Sequence, residues 1–334
     1  MPASPITIVY HADCADGFGA AYAAWRHFGD TAIYRPMHHG QPWELPEIAG
    51  HGVYILDFSF PPDVLEAMAS LANSVIQIDH HASARRPWVG CLTKTPDGGE
   101  SYRHRALPLT VIFDLGKSGA RLAWEHFHPA QPVPLVLRHI EDLDLWRFAM
   151  PGTRALGRAL RLLAFDFAVW DELIRQAPDP DCPRYTAFVA EGEAIERFFQ
   201  TEVSRLAQSR LVMPARLRGE PLDPLQALRH DLPTVADGDR AWRAIDGLAI
   251  NASVLFASEL GNLLAEKNGT FGLIWQLGAD GEVKASVRGK GNVDVAEIAA
   301  NYGGGGHPNA AGFRMPLARF TSEVLGKQCY KPVQ

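Results

Sequence analysis

The chain has 334 residues, with 32 Lys+Arg against 38 Asp+Glu for a formal charge of −6, and is 47% hydrophobic and 21% charged. This length carries a prior of two domains at roughly 100–200 residues each, and the composition excludes disorder. The acidic balance excludes a generic basic nucleic-acid coat, though not a local basic groove. Cys14, Cys91, Cys182 and Cys329 are too widely spaced for a disulfide scaffold or a zinc ribbon. No charged leader precedes an apolar core, and no apolar run approaches the ~20 residues that span a bilayer. The expectation is a reduced, cytoplasmic protein with no membrane segment.

In chain order, Ile6–Tyr10 reads as a buried strand and Gly17–Phe28 as an Ala-rich helix. Val53–Asp57 reads as a second strand, Pro62–Ala72 as a helix and Ser74–Ile78 as a third strand. This alternation predicts a parallel sheet with crossover helices. Helices are expected at Gly119–Phe127 and Pro134–Leu143. Residues 152–210 are helical in pattern, with Ala187–Arg210 suited to a long connecting helix, and proline-punctuated residues 211–240 suit a connection or irregular edge. Then come a strand at Ala249–Ser253, a helix at Val254–Lys267, a hairpin from Phe271–Leu277 and Val283–Arg288, and a helix at Val293–Tyr302 before Gly303–Gly306 and His307.

Chemistry-bearing residues cluster at the predicted strand ends. His11, Asp13 and Asp16 follow the first strand, Asp57 ends the second, and Asp79-His80-His81 ends the third. In a parallel sheet the carboxyl ends of strands face one crevice, so these groups would meet at one rim. Their mutual repulsion calls for cations. Mixed carboxylate and imidazole donors suit Mn²⁺, with Fe²⁺, Co²⁺ or Zn²⁺ as alternatives. Ligands suffice for two divalent ions, which would activate a water for in-line attack on phosphorus. Asp142 and Asp144, near a predicted helix end, offer a fourth input. Each Asp taken alone is as readily a helix N-cap.

Four consecutive glycines permit close backbone approach and expose N–H groups that can wrap an anion, with His307 next to them as a donor. Arg288 could clamp a phosphate bidentately. Arg85-Arg86 and Arg103-His104-Arg105 read first as solvated loops. Trp88, Trp146 and Tyr302 read first as core or interface residues, and only second as base-stacking platforms.

The set His11-Ala-Asp13-Cys14-Ala-Asp16-Gly17, Asp57, Asp79-His80-His81 and Asp142, in this order and spacing, resembles the DHH phosphoesterase superfamily. Ser286-Val-Arg288-Gly, Val293–Ala299 and Gly303–Phe313 resemble its DHH-associated substrate domain. The resemblance implies an α/β protein with an N-terminal parallel-sheet domain at 1–150. A helical linker at 151–240 would join it to a smaller α/β substrate-binding domain at 241–334. It implies His11 and Asp13 on one ion, Asp16 on the other, Asp57 bridging, and Asp79 and His80 of the third motif as further metal ligands. Asp142 would complete the second ion, with Asp144 competing for that place. Asp79 and His81 would be the catalytic pair, His81 facing the phosphate. Arg288, Gly304, Gly305, Gly306 and His307 would bind substrate.

One departure stands out: such sequences commonly read Asp-x-Asp where this chain has Asp13-Cys-Ala-Asp16. Either the loop holds one extra residue or Cys14 takes the first position, where it would favour a softer metal. The implied activity is two-metal hydrolysis of a small anionic phosphoester, a short single-stranded oligonucleotide or nucleotide, with Mn²⁺ as the expected metal. A homodimer is a further expectation, with the oligomeric state left open by the sequence. The alternatives are a phosphoanhydride hydrolase acting on pyrophosphate or polyphosphate, and a catalytically silent nucleotide-binding protein.

Overall fold

A computed structural model describes residues 4–38, 41, 45–229, 231 and 233–325. Cys329 lies outside the described residues. The chain divides into two compact units, residues 1–197 and 198–334, the division falling within one long helix.

The first unit is built on strands β1 (Ile6–His11), β2 (Ile33–Met37), β3 (Gly52–Leu56), β4 (Ser74–Asp79), β5 (Thr93–Lys94), β6 (Glu100–Arg103) and β7 (Leu109–Phe113). They form one sheet in the order β2-β1-β3-β4-β7-β6-β5. The first five in that order are parallel, and β6 and β5 add an antiparallel ribbon. Crossovers run through α1 (Ala15–Phe28), α2 (Pro62–Leu71) and the short α3 (Ala82–Arg85). Helices α4 (Gly119–Phe127), α5 (Leu135–Asp144), α6 (Thr153–Leu160), α7 (Phe167–Gln176) and α8 (Pro183–Ser209) follow the sheet.

Because side chains alternate along a strand, both faces of a covered parallel sheet must be apolar. Ile8, Tyr10, Leu56 and Ile78 pack on one face against α1, α4 and α5. Val9, Val53, Ile55, Val75 and Val111 pack on the other with Leu65 and Met68 of α2. The Ala-rich stretch of α1 is explained here: Ala20, Ala21, Ala23 and Ala24 are wholly buried, as a helix in close contact with neighbouring helices requires.

In the second unit, β8 (Val212–Pro221), α9 (Pro224–Ala227), β9 (Thr234–Asp237) and β10 (Arg240–Asn251) precede α10 (Ala257–Asn268). Then come β11 (Phe271–Leu277), β12 (Glu282–Gly289), α11 (Val295–Ala300), β13 (Gly305–His307) and β14 (Ala310–Pro316). The sheet order is β13-β14-β12-β11-β10-β8, with β9 pairing β10; only β10 and β11 run parallel. Residues 211–240, expected as a connection or irregular edge, contain the ten-residue edge strand β8. Arg218 within it is buried, paired with Asp237 and Glu323 and lying over the Trp242 ring, so a core-facing position reads as polar in the sequence. Among the described residues no helix is long and apolar enough to cross a membrane.

Candidate metal centre

In the first unit β1, β3 and β4 lie side by side, so their carboxyl ends bring His11, Asp57 and Asp79 to one rim. The sheet order reverses at β1, between β2 and β3, the kind of switch point at which open α/β sheets hold ligands. Asp57 is the centre of the cluster. Its Oδ1 lies 3.1 Å from His80 Nε2 and 4.0 Å from His81 Nδ1, and its Oδ2 lies 3.7 Å from His11 Nδ1. Asp57 takes a left-handed backbone (φ 51°), a conformation costly for a residue with a Cβ and one that gathers at functional sites. Helix α4 begins against it: a Cβ on Gly119 would fall 2.4 Å from the Asp57 Cβ, so only glycine fits.

Asp16, in the first turn of α1, accepts from the Gly119 and Ala120 N–H groups at 2.7 and 3.0 Å, and His80 Nε2 lies 3.5 Å from its Oδ2. Asp79 is held differently. Its Oδ1 accepts from the His80 and His81 N–H groups and sits 2.6 Å from His81 Nδ1, while Oδ2 accepts from Ser59 at 2.5 Å. Asp79 thus fixes the orientation of the His81 ring. Ser59 was not singled out from the sequence; its one signal is its place two residues after Asp57.

Two of the expected positions resolve differently. Asp142 was expected at the second ion, but both its carboxylate oxygens are spent on its own chain. They accept from the Ala149 and Met150 N–H groups at 2.8 and 3.0 Å and from the Thr153 hydroxyl at 2.5 Å. The competing Asp144 faces the cluster, its Oδ2 3.6 Å from His80 Nε2. Two residues on a helix are about 200° apart, so only one of this pair can face the site. Asp13, expected with His11, has a left-handed backbone (φ 54°) and an 81% exposed side chain near His38. Cys14 instead stands with His11 and Asp57.

Within the first unit, three overlapping groups of donor atoms result, the atoms of each within 4.8 Å of one another: His11, Cys14 and Asp57; Asp16, His80 and Asp144; and Asp57, Asp79, His80 and His81. Electrostatics show what the cluster demands. Burial and the neighbouring Asp57 and Asp144 push the Asp16 carboxyl well above the usual range. Asp144 is raised by burial and by Asp57, against the opposing pull of His80. Burial disfavours the charged His80 ring, yet its bond to Asp57 and the fields of Asp16 and Asp144 raise it to about 10. His81 is likewise opposed by burial but raised to about 9 by Asp79. Asp57, against its burial, is depressed by bonds from His11 and His80. The Cys14 thiol is pushed up by burial and by Asp57, Asp144 and Asp16. Two like charges 4 Å apart repel by about 4 kcal/mol at an effective dielectric of 20, so positive charge is needed here. Asp144 Oδ2 is buried with no hydrogen-bond donor. An orphaned carboxylate oxygen among N and O donors fits a divalent cation.

The substrate-binding expectations fall in the second unit. Arg288 lies on β12, its guanidinium 2.9 Å from Ser258 Oγ, and burial lowers its pKa. The glycine run forms a hairpin strand: Gly305 and Gly306 of β13 pair with Gly312 and Ala311 of β14, and His307 pairs with Ala310. A Cβ on Gly304 would fall 2.1 Å from the Gly312 carbonyl oxygen, so close strand approach alone explains this glycine, whereas Gly305 borders open space. Tyr302 stacks on Phe313 and accepts from the Arg218 N–H; Trp88 is buried. Both behave as core residues. In the first unit Arg85 is held bidentately by Glu100 at 2.5 and 2.8 Å.

The chain is 27% identical over 323 residues to the uncharacterized protein R106 of Acanthamoeba polyphaga mimivirus, an alignment covering 91% of this chain and 66% of that protein's length. Among solved structures, it is similar to an uncharacterized protein from Helicobacter pylori G27 (15% identity, 93% of each chain, TM-score 0.39). It is also similar to the pGpG-specific phosphodiesterase PggH from Vibrio cholerae (10% identity, 95% of this chain and 94% of that one, TM-score 0.39). Residues 254–326 match the DHHA1 domain family, over the segment that holds Arg288, the glycine run and His307. The C-terminal part of this chain is a DHHA1 domain.

Proposed function

We propose that this protein is a divalent-metal-dependent phosphodiesterase of the DHH type, acting on short oligonucleotides or small nucleotides. The observation that carries the reading is the convergence of His11, Asp16, Asp57, His80 and Asp144 on one rim of the parallel sheet, with Asp144 Oδ2 left without a donor. The DHHA1 domain in the same chain supports it. Divalent ions held by these residues would polarise phosphoryl oxygens and lower the pKa of bound water toward neutrality.

The chain's own residues do the rest. Asp57 gathers three imidazoles around one carboxylate. Asp79, held by Ser59 and two backbone N–H groups, engages His81 at Nδ1 and so orients the ring, whose Nε2 would hold a proton against a phosphoryl or leaving-group oxygen. Arg288 and the Gly304–His307 strand are proposed to recognise the substrate's phosphate and sugar, Gly305 giving backbone access.

The test is hydrolysis by purified protein with Mn²⁺, Co²⁺ or Zn²⁺. Substrates would be a dinucleotide, a short and a long RNA, cyclic dinucleotides and polyphosphate, with Asp57→Asn as control. Chelator-sensitive cleavage of the short oligonucleotides, lost in the variant, is expected. Phosphate release from polyphosphate alone would move the function to a phosphoanhydride hydrolase. Tight nucleotide binding with no turnover would replace the reading with a silent binder.

A further inference from the structure

The loop between β1 and α1 offers two residues for one place, and the structure separates them. Asp13 turns outward, its side chain 81% exposed and its Oδ2 3.7 Å from His38 Nε2. Cys14 is extended (φ −126°, ψ 135°) at the N-cap of α1, yet its side chain makes no capping hydrogen bond. Ser, Asp or Asn would be preferred at that position for capping, so capping does not explain the sulfur. Its Sγ lies with a His11 ring nitrogen and an Asp57 carboxylate oxygen, all three within 4.8 Å of one another. A second donor group is made of Asp16, His80 and Asp144, two carboxylates and one imidazole.

We propose that Cys14, through its thiolate, is a metal ligand beside His11 and Asp57, and that Asp13 is not a ligand. This rests on the reading of the cluster as a metal centre. The two ion positions are therefore chemically unequal. The His11–Cys14–Asp57 position offers one nitrogen, one sulfur and one oxygen, a set that selects Zn²⁺, Co²⁺ or Fe²⁺ over Mn²⁺ and Mg²⁺. The Asp16–His80–Asp144 position is oxygen-rich and accepts Mn²⁺. On binding, the Cys14 thiol gives its proton to solvent and its sulfur lone pair to the ion, so metal uptake at the first position releases a proton. A mixed-metal enzyme, with the softer ion beside Cys14, is the expected resting form.

The test is spectroscopic and independent of turnover. Metal-free protein is titrated with Co²⁺ while near-ultraviolet absorption and bound cobalt are recorded together. A thiolate-to-cobalt charge-transfer band should grow to saturation with one ion per chain. It should persist in Asp13→Asn and vanish in Cys14→Asp and Cys14→Ser. Cys14→Asp should also lower Zn²⁺ affinity at least tenfold while improving Mn²⁺ affinity. If those variants fail to fold, a variant with Cys91, Cys182 and Cys329 all changed to Ser answers the question, since the band must survive in it. Cobalt bound without a charge-transfer band, a band surviving in Cys14→Asp, or a band lost in the triple variant would each overturn the thiolate ligand and leave the metal centre standing. No cobalt bound at all would overturn the metal centre itself.

Discussion

Asp142 and Asp144 should fail in opposite ways when each is changed to Asn. Asp142, 4% exposed, accepts from two backbone N–H groups and the Thr153 hydroxyl. Thr153 in turn lies 2.8 Å from His139 Nδ1, and His139 Nε2 is 2.8 Å from the Tyr185 hydroxyl. Because Thr153 donates to Asp142, the neutral His139 must donate from Nδ1 and accept at Nε2 from Tyr185. The result is one directed relay pinning the segment just after Asp144. Asn at 142 keeps one acceptor oxygen and turns an NH₂ toward a group that itself donates. About two charge-assisted bonds of ~1.5–3 kcal/mol each are lost, so the expected cost is about 3–6 kcal/mol. In a unit of 197 residues this lowers Tm by about 10 °C. Metal stoichiometry should not change. Asp144→Asn should do the reverse, reducing the number of bound divalent ions while leaving the metal-free Tm equal or higher, because it relieves repulsion with Asp16 and Asp57. Calorimetry of both variants, with and without Mn²⁺, decides the matter. An Asp142→Asn protein of wild-type Tm that binds one ion fewer would refute the assignment.

Three further outcomes follow from the same geometry. Divalent ions should stabilise the wild-type protein by about 2.7 kcal/mol at a hundredfold excess over Kd, measured as a Tm rise that EDTA reverses; no rise would remove the electrostatic argument for the cluster. His139, driven by burial down to about 4 against an ordinary ~6.5, binds its proton more readily when unfolded. Stability from this group is therefore complete above pH ~6.5 and declines as pH falls to about 4, so urea midpoints across that range should slope less in His139→Asn than in wild type. Gly119→Ala, whose Cβ would collide with Asp57, should cut hydrolysis by about 100-fold through a displacement near 1 Å, and unchanged kcat would show that α4 can retreat.

Much of the parallel sheet is legible because its strands are buried on both faces, which leaves continuous apolar runs such as Val53–Leu56 that end where polar loop residues begin. The same property marks the rim, since His11, Asp57 and Asp79 stand at the point where each run stops. Strands at edges lack it. β2, with the sequence Ile-Tyr-Arg-Pro-Met, carries Pro36, which only an edge position tolerates, and of its residues only Met37 is buried. β8 holds Pro214 and a buried Arg218 whose charge is compensated by Asp237 and Glu323, residues distant in sequence. A periodicity test sees a polar loop there, because the partners that make the arginine acceptable are invisible in a local window.

The rim itself shows the same limit at finer scale. Spacing brings Asp13, Cys14 and Asp16, or Asp142 and Asp144, to the correct end of the sheet, yet which member of each group faces inward depends on single dihedrals and on helical phase. At 142 and 144 the phase leaves one inward place, and the relay from Tyr185 through His139 and Thr153 captures the other carboxylate. At 13 and 14 the left-handed turn sends the carboxylate to solvent and the sulfur toward His11 and Asp57. The residue type at such a place therefore carries chemical information that the motif alone conceals. A carboxylate there would make the two proposed metal positions alike, whereas sulfur would make them different.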